Sequence, residues 1–279
     1  MKKFFAVLLC LTLLAAFVGC AGVPVTVQTG RADGTEAQVE LVIFAAASLT
    51  ETLTKIAELY RTAAPQVKLI FTFDSSGTLE TQIQEGANCD LFLSAAQTQM
   101  DALDKSQKGE KNPDGLDFID TATRIDLLEN QVVLVVPEGN PAGISSFADL
   151  TSEKLRLLAI GNSDVPVGQY TLEIFTALGT SPQALEAEGK LTYGSNVKEV
   201  ATQVAEAAVD AGIVYATDAF SAGLTVVDAA TAEMCGRVVY PAAVLNGCRY
   251  PEAAQSFLDY LQSDEAMAVF ESVGFRPVK

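Results

Sequence analysis

The sequence predicts an α/β fold of two similar lobes, each a mainly parallel sheet flanked by helices. Apolar runs of strand length alternate with segments whose apolar residues recur at helical spacing, the pattern of a parallel sheet covered by helices. The order strand, loop of small residues, helix also occurs twice, at 41–60 and again at 155–179. Two such lobes would bring the loops at the carboxyl ends of their strands to a common cleft.

The first lobe begins with the run VELVIFAAA at 39–47, which is apolar almost throughout, as in a strand buried on both faces. In the segment 48–63 the apolar residues recur at helical spacing, and Pro65 follows its end, so we predict a helix. The next predicted elements are a strand at 67–73, a short helix at 77–86 and a buried strand at 89–96.

The rest of the chain continues this alternation. We predict strands at 131–137, 155–162, 211–216 and 238–245, helices at 169–179 and 197–207, and one or two closing helices at 251–275. We therefore expect lobe 1 to comprise 39–126 and 246–279, and lobe 2 to comprise 127–245.

The amino terminus carries a targeting signal. Lys2 and Lys3 precede an apolar run of about 15 residues, which suits a signal peptide better than a spanning helix of about 20 residues. The run ends in FVGC, which resembles a bacterial lipobox, so we expect a lipoprotein signal peptide at 1–19 and lipid attachment at Cys20. The alternative is a plain secretory signal cleaved elsewhere.

Residues 20–38 are rich in glycine, threonine and small polar residues without apolar periodicity, which predicts a flexible tether. A lipid on Cys20 would hold the folded part outside the cytoplasm at the membrane surface. We therefore expect an extracytoplasmic protein anchored by its N-terminal lipid, or a periplasmic one.

The charge balance excludes several classes of partner. The chain has 18 basic and 35 acidic residues, and removing the signal peptide leaves 16 basic residues and a net charge of −19. This charge argues against nucleic acid and against an anionic membrane surface as partners. The chain also contains no histidine, which removes Ser-His-Asp and Cys-His catalysis and most zinc sites.

Beyond the signal peptide and Cys20, the cysteines are Cys89, Cys235 and Cys248. Three cysteines allow at most one disulfide, and a Cys235–Cys248 bond could close a loop between strands. Free thiols are the equally open alternative.

Two loops of the predicted first lobe carry serines at the start of a helix. Ser48 with Glu51 three residues later fits a capping box, and the alternative is that the Ser48 hydroxyl donates to a ligand. Ser76 is placed to cap the next helix, with Gly77 behind it, which would expose free N–H groups as an anion site. Taken alone, each serine could be only a cap.

Three features of the predicted second lobe could face the same cleft. Pro166 lies just ahead of a predicted helix, so the amide of Val167 or Gly168 could point at a ligand. Val197 begins another helix, and Tyr215 ends a buried strand with its hydroxyl free to reach outward.

These loops have neutral hydrogen-bond donors in common, namely hydroxyls and the amides of helix starts. No lysine or arginine lies at their centre, and neither the GxGxxG nor the GxxxxGK[ST] phosphate motif is present. A wall made only of donors suits a fully deprotonated anion, whereas phosphate carries a proton near neutral pH and would require an acceptor.

Five ordered stretches together resemble the molybdate-binding proteins of ABC importers, the ModA type, from about Leu41 to the end of the chain. They are FAAASL, SSGTLETQIQEGANCDLFLSA, TATRIDLLENQVVLV, AIGNSDVPVGQY and DAGIVYATDA. The resemblance implies a type II periplasmic-binding-protein fold, in which two α/β lobes joined by two crossing segments close on the ligand.

The resemblance also implies which residues bind the oxyanion. The hydroxyl and amide of Ser48 and Ser76, the amides of Val167 and Val197, and the hydroxyl of Tyr215 are the family's donors. Two neighbours lie outside this set. Asp74 stands where relatives often carry a small neutral residue, so we expect its carboxylate to point to solvent, and Gln97 stands where relatives often have an acid.

The function implied by the resemblance is capture of molybdate, and of tungstate, for an ABC permease, by a monomer without catalytic residues, cofactor or bound metal cation. The same fold binding sulfate or another tetrahedral oxyanion is the alternative within this class. A hydrolase using Ser48 or Ser76 is a different class, but no histidine or neighbouring lysine would activate either serine. A sensory domain would require an output segment after the final helices.

Overall fold

Two sheets organise residues 38–278, the part of the chain that the computed structural model describes. The predicted signal peptide, Cys20 and nearly all of the predicted tether lie outside the described residues. The strands are β1 (Val39–Ala46), β2 (Val67–Asp74), β3 (Leu91–Leu93), β4 (Ile125–Asn130), β5 (Val132–Val136), β6 (Leu158–Gly161), β7 (Leu191–Gly194), β8 (Ala211–Tyr215), β9 (Thr225–Ala229), β10 (Val238–Val244) and β11 (Arg276–Pro277).

Helices cover both sheets. They are α1 (Thr50–Ala63), α2 (Ser76–Gln84), α3 (Gln97–Leu103), α4 (Pro166–Ala177), α5 (Pro182–Ala187), α6 (Val197–Ala205), α7 (Ala216–Ser221), α8 (Ala232–Cys235), α9 (Pro251–Leu261) and α10 (Asp264–Glu271). Short 3₁₀ turns lie at Ala47–Leu49, Gly109–Lys111 and Phe147–Thr151.

The two sheets share one plan. The six-stranded sheet has the order β11-β4-β10-β3-β1-β2, and the five-stranded sheet has the order β7-β6-β8-β5-β9. In each sheet three parallel strands, β3-β1-β2 and β7-β6-β8, continue into antiparallel strands, β10 in one and β5 in the other. The predicted two-lobed α/β fold is therefore confirmed, and each sheet combines a parallel half with an antiparallel half.

Strand pairing sets the lobes at different boundaries from those we expected. β4 and β10 pair with each other in the six-stranded sheet, with Val238 opposite Asn130. The expected boundary at 126/127 falls inside β4, and the expected boundary at 245/246 assigns β10 to the other lobe. We therefore place the two crossings at Gln131 and at 230–237. Only Gln131 separates β4 from β5 in the chain, and it is long-range pairing that assigns them to different sheets.

The core follows from the apolar runs in the sequence. All five residues of β5 and all seven of β10 are buried, which explains why these strands lack polar alternation. One face of the six-stranded sheet packs Phe44, Phe92 and Ala243 against the buried side chains of α2 and α3. The other face packs against α1 and α9, where Tyr60 meets Phe257 with ring centroids 4.9 Å apart.

The three cysteines of the described chain are free thiols. Cys235 ends α8 on the crossing between the sheets, whereas Cys248 lies in a turn after β10, bonded through its amide to the Leu245 carbonyl at 3.0 Å. The structure thus corresponds to the free-thiol alternative and not to a Cys235–Cys248 disulfide.

Candidate ligand-binding site

The loops at the carboxyl ends of the parallel strands of both sheets meet at one small cavity between the lobes. It encloses about 200 Å³ of space between atoms, part of it open to solvent. The lining residues are Ala46, Ala47, Ser48, Asp74, Ser75, Ser76 and Ala95 from one lobe, and Val165, Pro166, Val197 and Tyr215 from the other.

Ser48 lies in the 3₁₀ turn between β1 and α1 and is 4% exposed. Its Oγ is 2.9 Å from the hydroxyl oxygen of Tyr240 and makes no capping bond. Helix α1 begins only at Thr50, after an N-cap residue, Leu49, whose side chain cannot cap. The predicted capping box with Glu51 is therefore wrong, and the Ser48 hydroxyl lies in the cavity wall instead.

Ser76 is the first residue of α2 and is fully buried, and its Oγ accepts a hydrogen bond from the Ala95 amide at 2.9 Å. The N-cap is the preceding residue, Ser75, whose Oγ accepts from the Thr78 amide at 3.1 Å. The prediction that Ser76 caps the helix is therefore wrong by one residue. Ser75 therefore caps the start of the helix, and the Ser76 side chain is left for the cavity.

The other lobe contributes two helix starts. Pro166 is the first residue of α4 and lines the cavity, whereas Val167 follows it, is fully buried and is not among the lining residues. Val197 is the first residue of α6, whose N-cap, Asn196, accepts from the Glu199 amide at 3.1 Å. The first amides of a helix have no carbonyl partner within it, so both helix starts carry donors for a ligand.

Tyr215 closes the cavity at the end of β8. It is 1% exposed, and its hydroxyl oxygen has no hydrogen-bond partner among the described residues. Burial raises the pKa of this phenol well above its usual value, so the group keeps its proton and acts as a donor. A buried hydroxyl without a partner is uncommon in folded proteins and marks the place where a ligand atom would be bound.

The prediction that Asp74 points to solvent is wrong. Asp74 is half-buried at the cavity edge, and its Oδ1 accepts from the Ser75 amide at 2.7 Å. The same oxygen lies 3.5 Å from the side-chain amide nitrogen of Asn196 in the other lobe. This oxygen thus accepts from one donor in each lobe. Gln97 instead binds Arg124, with 2.6 Å between Oε1 and Nη2.

The lobes touch each other around the cavity, so the structure corresponds to a closed form. The contacts that cross between the lobes include Lys198 Nζ to Glu51 Oε2 at 2.7 Å, the Gly77 amide to the Asp164 carbonyl at 3.2 Å, and Gln99 Nε2 to Gln169 Oε1 at 3.2 Å.

Lys198 is a cation that directly follows the predicted donor Val197 in the chain. Its ammonium also lies 3.1 Å from Oδ1 of the buried carboxylate of Asp218. Burial acts to lower the pKa of Lys198, but Asp218 and Glu51 raise it overall, so the ammonium stays charged. Burial raises the pKa of Asp218 to about 6, although Lys198 opposes the shift. Because Lys198 is held by two acids, it adds little net positive charge for an anion.

Sequence reasoning missed the residues behind the cavity wall. Tyr240 on β10 and Asn130 at the end of β4 are both buried and bond to each other at 3.1 Å. Nothing in the sequence signals this pair, because the two positions are 110 residues apart.

Two α/β lobes that close over a small cavity lined by helix starts and hydroxyls define an extracytoplasmic-type solute-binding protein. Residues 41–276 match the family of bacterial extracellular solute-binding proteins, and the chain belongs to that family.

Several proteins similar to this chain are described as substrate-binding or molybdate-binding proteins. The chain is 35% identical over 277 residues to the Bacillus subtilis protein named "Putative ABC transporter substrate-binding lipoprotein YvgL", with 98% of each chain covered. It is 34% identical over 247 residues to the molybdate-binding protein ModA of Escherichia coli, covering 85% of this chain and 88% of that one. The periplasmic molybdate-binding protein of Azotobacter vinelandii shares the fold, with a TM-score of 0.72, 20% identity and coverage of 86% and 100%.

These likenesses confirm the resemblance inferred from the five motifs. The protein is a solute-binding component of ABC import and not an enzyme. Its family is extracellular, and in residues 38–278 no helix is long and apolar enough to cross a membrane.

Proposed function

We propose that this protein captures molybdate, and also tungstate, and delivers it to the membrane permease of an ABC importer. The observation that carries the proposal is the set of hydroxyls at the cavity, above all the buried and unpartnered hydroxyl of Tyr215 facing the same space as Ser48 and Ser76. The name of the Escherichia coli relative gives the ligand class.

The chemistry of the wall fits a fully deprotonated tetrahedral anion. Ser48, Ser76 and Tyr215 offer hydroxyl protons, and the starts of α4 and α6 offer amides of Val167 and Val197. Hydrogen bonds to a charged acceptor stabilise by about 1.5–3 kcal/mol each before the loss of hydration is subtracted. Because the donors are neutral, no full ion pair has to break when the ligand leaves for the permease.

A thermal-shift panel with molybdate, tungstate, sulfate, phosphate and nitrate tests the ligand class. A ligand at one hundred times its Kd stabilises by about 2.7 kcal/mol, which for a domain of this size raises the Tm by about 5–10 °C. We expect this shift with molybdate and tungstate. No shift with either at millimolar concentration would refute the proposal, and a shift with sulfate alone would assign the protein to the alternative oxyanion.

Two substitutions test the site. Ser76→Ala and Tyr215→Phe each remove one hydroxyl donor, and we expect each to weaken molybdate binding by about 10- to 100-fold in calorimetry. The matched controls are Ser256→Ala, on the exposed face of α9, and Tyr60→Phe, in the core between the six-stranded sheet and helices α1 and α9. Binding at the parent's affinity in both site variants would place the ligand elsewhere.

We propose further that the protein works as a monomer anchored by a lipid on Cys20. The name of the Bacillus subtilis relative supports the lipoprotein assignment. Mass spectrometry of the protein from the membrane fraction is expected to show diacylglycerol on Cys20. An unmodified N-terminus that begins at another residue would contradict it.

A further inference from the structure

A chain of buried polar groups runs from the crossing between the lobes to the cavity. Asn130 Nδ2 lies 3.1 Å from the hydroxyl oxygen of Tyr240, and that oxygen lies 2.9 Å from Ser48 Oγ. Tyr240 is 1% exposed, Ser48 4% and Asn130 5%, so water cannot substitute for these partners. The direction in which the protons point along this chain decides what Ser48 offers to a ligand.

The orientation of the Asn130 side chain follows from its other contacts. The Gln131 amide can only donate, and it does so to Asn130 Oδ1 at 2.8 Å. The opposite end of the Asn130 side chain must therefore be the NH₂ group. Its two protons go to Thr217 Oγ1 at 2.9 Å and to Tyr240 at 3.1 Å. Tyr240 thus accepts from Asn130.

The hydrogen bonds of normal geometry at the Tyr240 hydroxyl are those to Asn130 Nδ2 and Ser48 Oγ, so Ser48 Oγ is the acceptor for its proton. The neighbouring phenol of Tyr215, with its ring centroid 5.7 Å from that of Tyr240, makes no hydrogen bond of normal geometry to it. If Ser48 donated to Tyr240 instead, the Tyr240 proton would be buried without an acceptor, which costs about 1–3 kcal/mol. Burial raises the pKa of Tyr240 well above its usual value, so the phenol keeps this proton.

The consequence is that the Ser48 proton is free for the ligand, while one of the two lone pairs of its oxygen is occupied. Its oxygen receives the Tyr240 proton, and its own proton is left for the ligand. Ser76 is held in the same way, because its Oγ accepts from the Ala95 amide at 2.9 Å. A serine hydroxyl has one proton and two lone pairs, and at both positions the protein occupies one lone pair and leaves the proton free.

We propose that Tyr240 is a positioning residue that fixes Ser48 as a hydrogen-bond donor and thereby biases the site toward fully deprotonated anions. This inference rests on the proposed function, in that it requires an oxyanion in the cavity. A protonated oxyanion needs an acceptor for its proton, and Ser48 is a poorer acceptor in this direction because its proton points to the ligand and one lone pair is already occupied.

A double-mutant cycle tests the inference on the full protein. Molybdate affinity is measured by calorimetry for the parent, Tyr240→Phe, Ser48→Ala and the double variant. Loss of one neutral hydrogen bond predicts about 2- to 10-fold weaker binding for Tyr240→Phe. Because Tyr240 acts through Ser48, the double variant is expected to bind within twofold of Ser48→Ala. Tyr60→Phe, a buried tyrosine remote from the cavity, is the control and is expected to bind like the parent.

The outcomes separate the two proposals. If the parent binds none of the panel's oxyanions, the proposed function fails; if another oxyanion of the panel binds, the cycle is measured with that ion. If the parent binds but Tyr240→Phe has no effect, or weakens binding equally with and without the Ser48 hydroxyl, the positioning role is refuted.

Competition by phosphate tests the proton direction, since phosphate should compete better in Tyr240→Phe than in the parent. An unchanged ratio of the two affinities would overturn the assigned direction of the Ser48 proton.

Discussion

Replacing Gly77 with alanine should separate ligand binding from stability. Gly77 is the second residue of α2 and donates its amide proton to the Asp164 carbonyl of the other lobe at 3.2 Å. A Cβ at this position would lie 2.2 Å from that carbonyl oxygen and 3.0 Å from its carbon. Because the obstacle is backbone and not a flexible side chain, the lobes would have to move apart.

The size of the effect follows from this geometry. Ordinary contact begins near 3.4 Å, so the lobes must separate locally by about 1.2 Å, which also loses the hydrogen bond. Overpacking of this kind costs about 1–3 kcal/mol, equivalent to about 5- to 150-fold in affinity. Before the lobes close the same alanine should stabilise, since glycine within a helix is about 0.5–1 kcal/mol less favourable than alanine.

Calorimetry with molybdate and thermal unfolding without ligand measure the two effects. We expect Gly77→Ala to weaken binding while its ligand-free Tm stays equal to or above that of the parent. Gly247→Ala is the control, because a Cβ there meets nothing within 4 Å, and it should change neither quantity. Binding at the parent's affinity, or a fall in ligand-free Tm matching the loss of affinity, would refute the closure argument.

Two further predictions concern charges. Glu51→Gln removes the ion pair that Lys198 makes across the lobes at 2.7 Å. Calorimetry at low salt should show ligand binding weakened by about 1.5- to 5-fold. At high salt the difference from the parent should shrink, because salt screens the pair. Glu40→Gln breaks a pair of the same length within one lobe and should leave affinity unchanged. Burial acts to raise the pKa of Asp104, but Arg124 at 2.8 Å and other donors lower it overall. The ionised Asp104 therefore stabilises the folded state at pH values above the pKa of an aspartate in the unfolded chain, about 3.9. This stabilisation is lost as the pH falls below that value. Asp104→Asn should therefore lower the free energy of unfolding by about 3 kcal/mol at pH 7, measured by urea unfolding, and equal stability of the two proteins at pH 7 would contradict this.

The sequence alone locates the cavity because its walls are local features. Each of Ser48, Ser76, Val197 and Tyr215 stands directly after an apolar strand or at the start of a helix, and parallel strands bring such positions to one edge. The assignment of the cap within the adjacent pair Ser75 and Ser76 could not be made, because both serines suit the position and only the contact with Ala95 separates them.

Features that depend on long-range pairing could not be predicted. Membership of β10 in the six-stranded sheet is decided by its register with β3 and β4, and no local pattern encodes that register. Strands β7 and β9 are half-exposed, so they lack the buried apolar run that identified the others. The direction of Asp74 depends on donors from both lobes, one of them Asn196, 122 residues away.

The same groups that would bind an anion also oppose closure without one. Closing the lobes takes the Tyr215 hydroxyl out of water, and without a ligand this leaves a buried donor unsatisfied at about 1–3 kcal/mol. The free hydroxyl protons of Ser48 and Ser76 add to this cost of closing without a ligand. The interlobe contacts favour closure, but the Lys198–Glu51 pair, half exposed on the acidic side, contributes no more than about 1 kcal/mol. An anion removes the penalty of the unsatisfied donors only in the closed form, so its binding shifts the equilibrium toward closure.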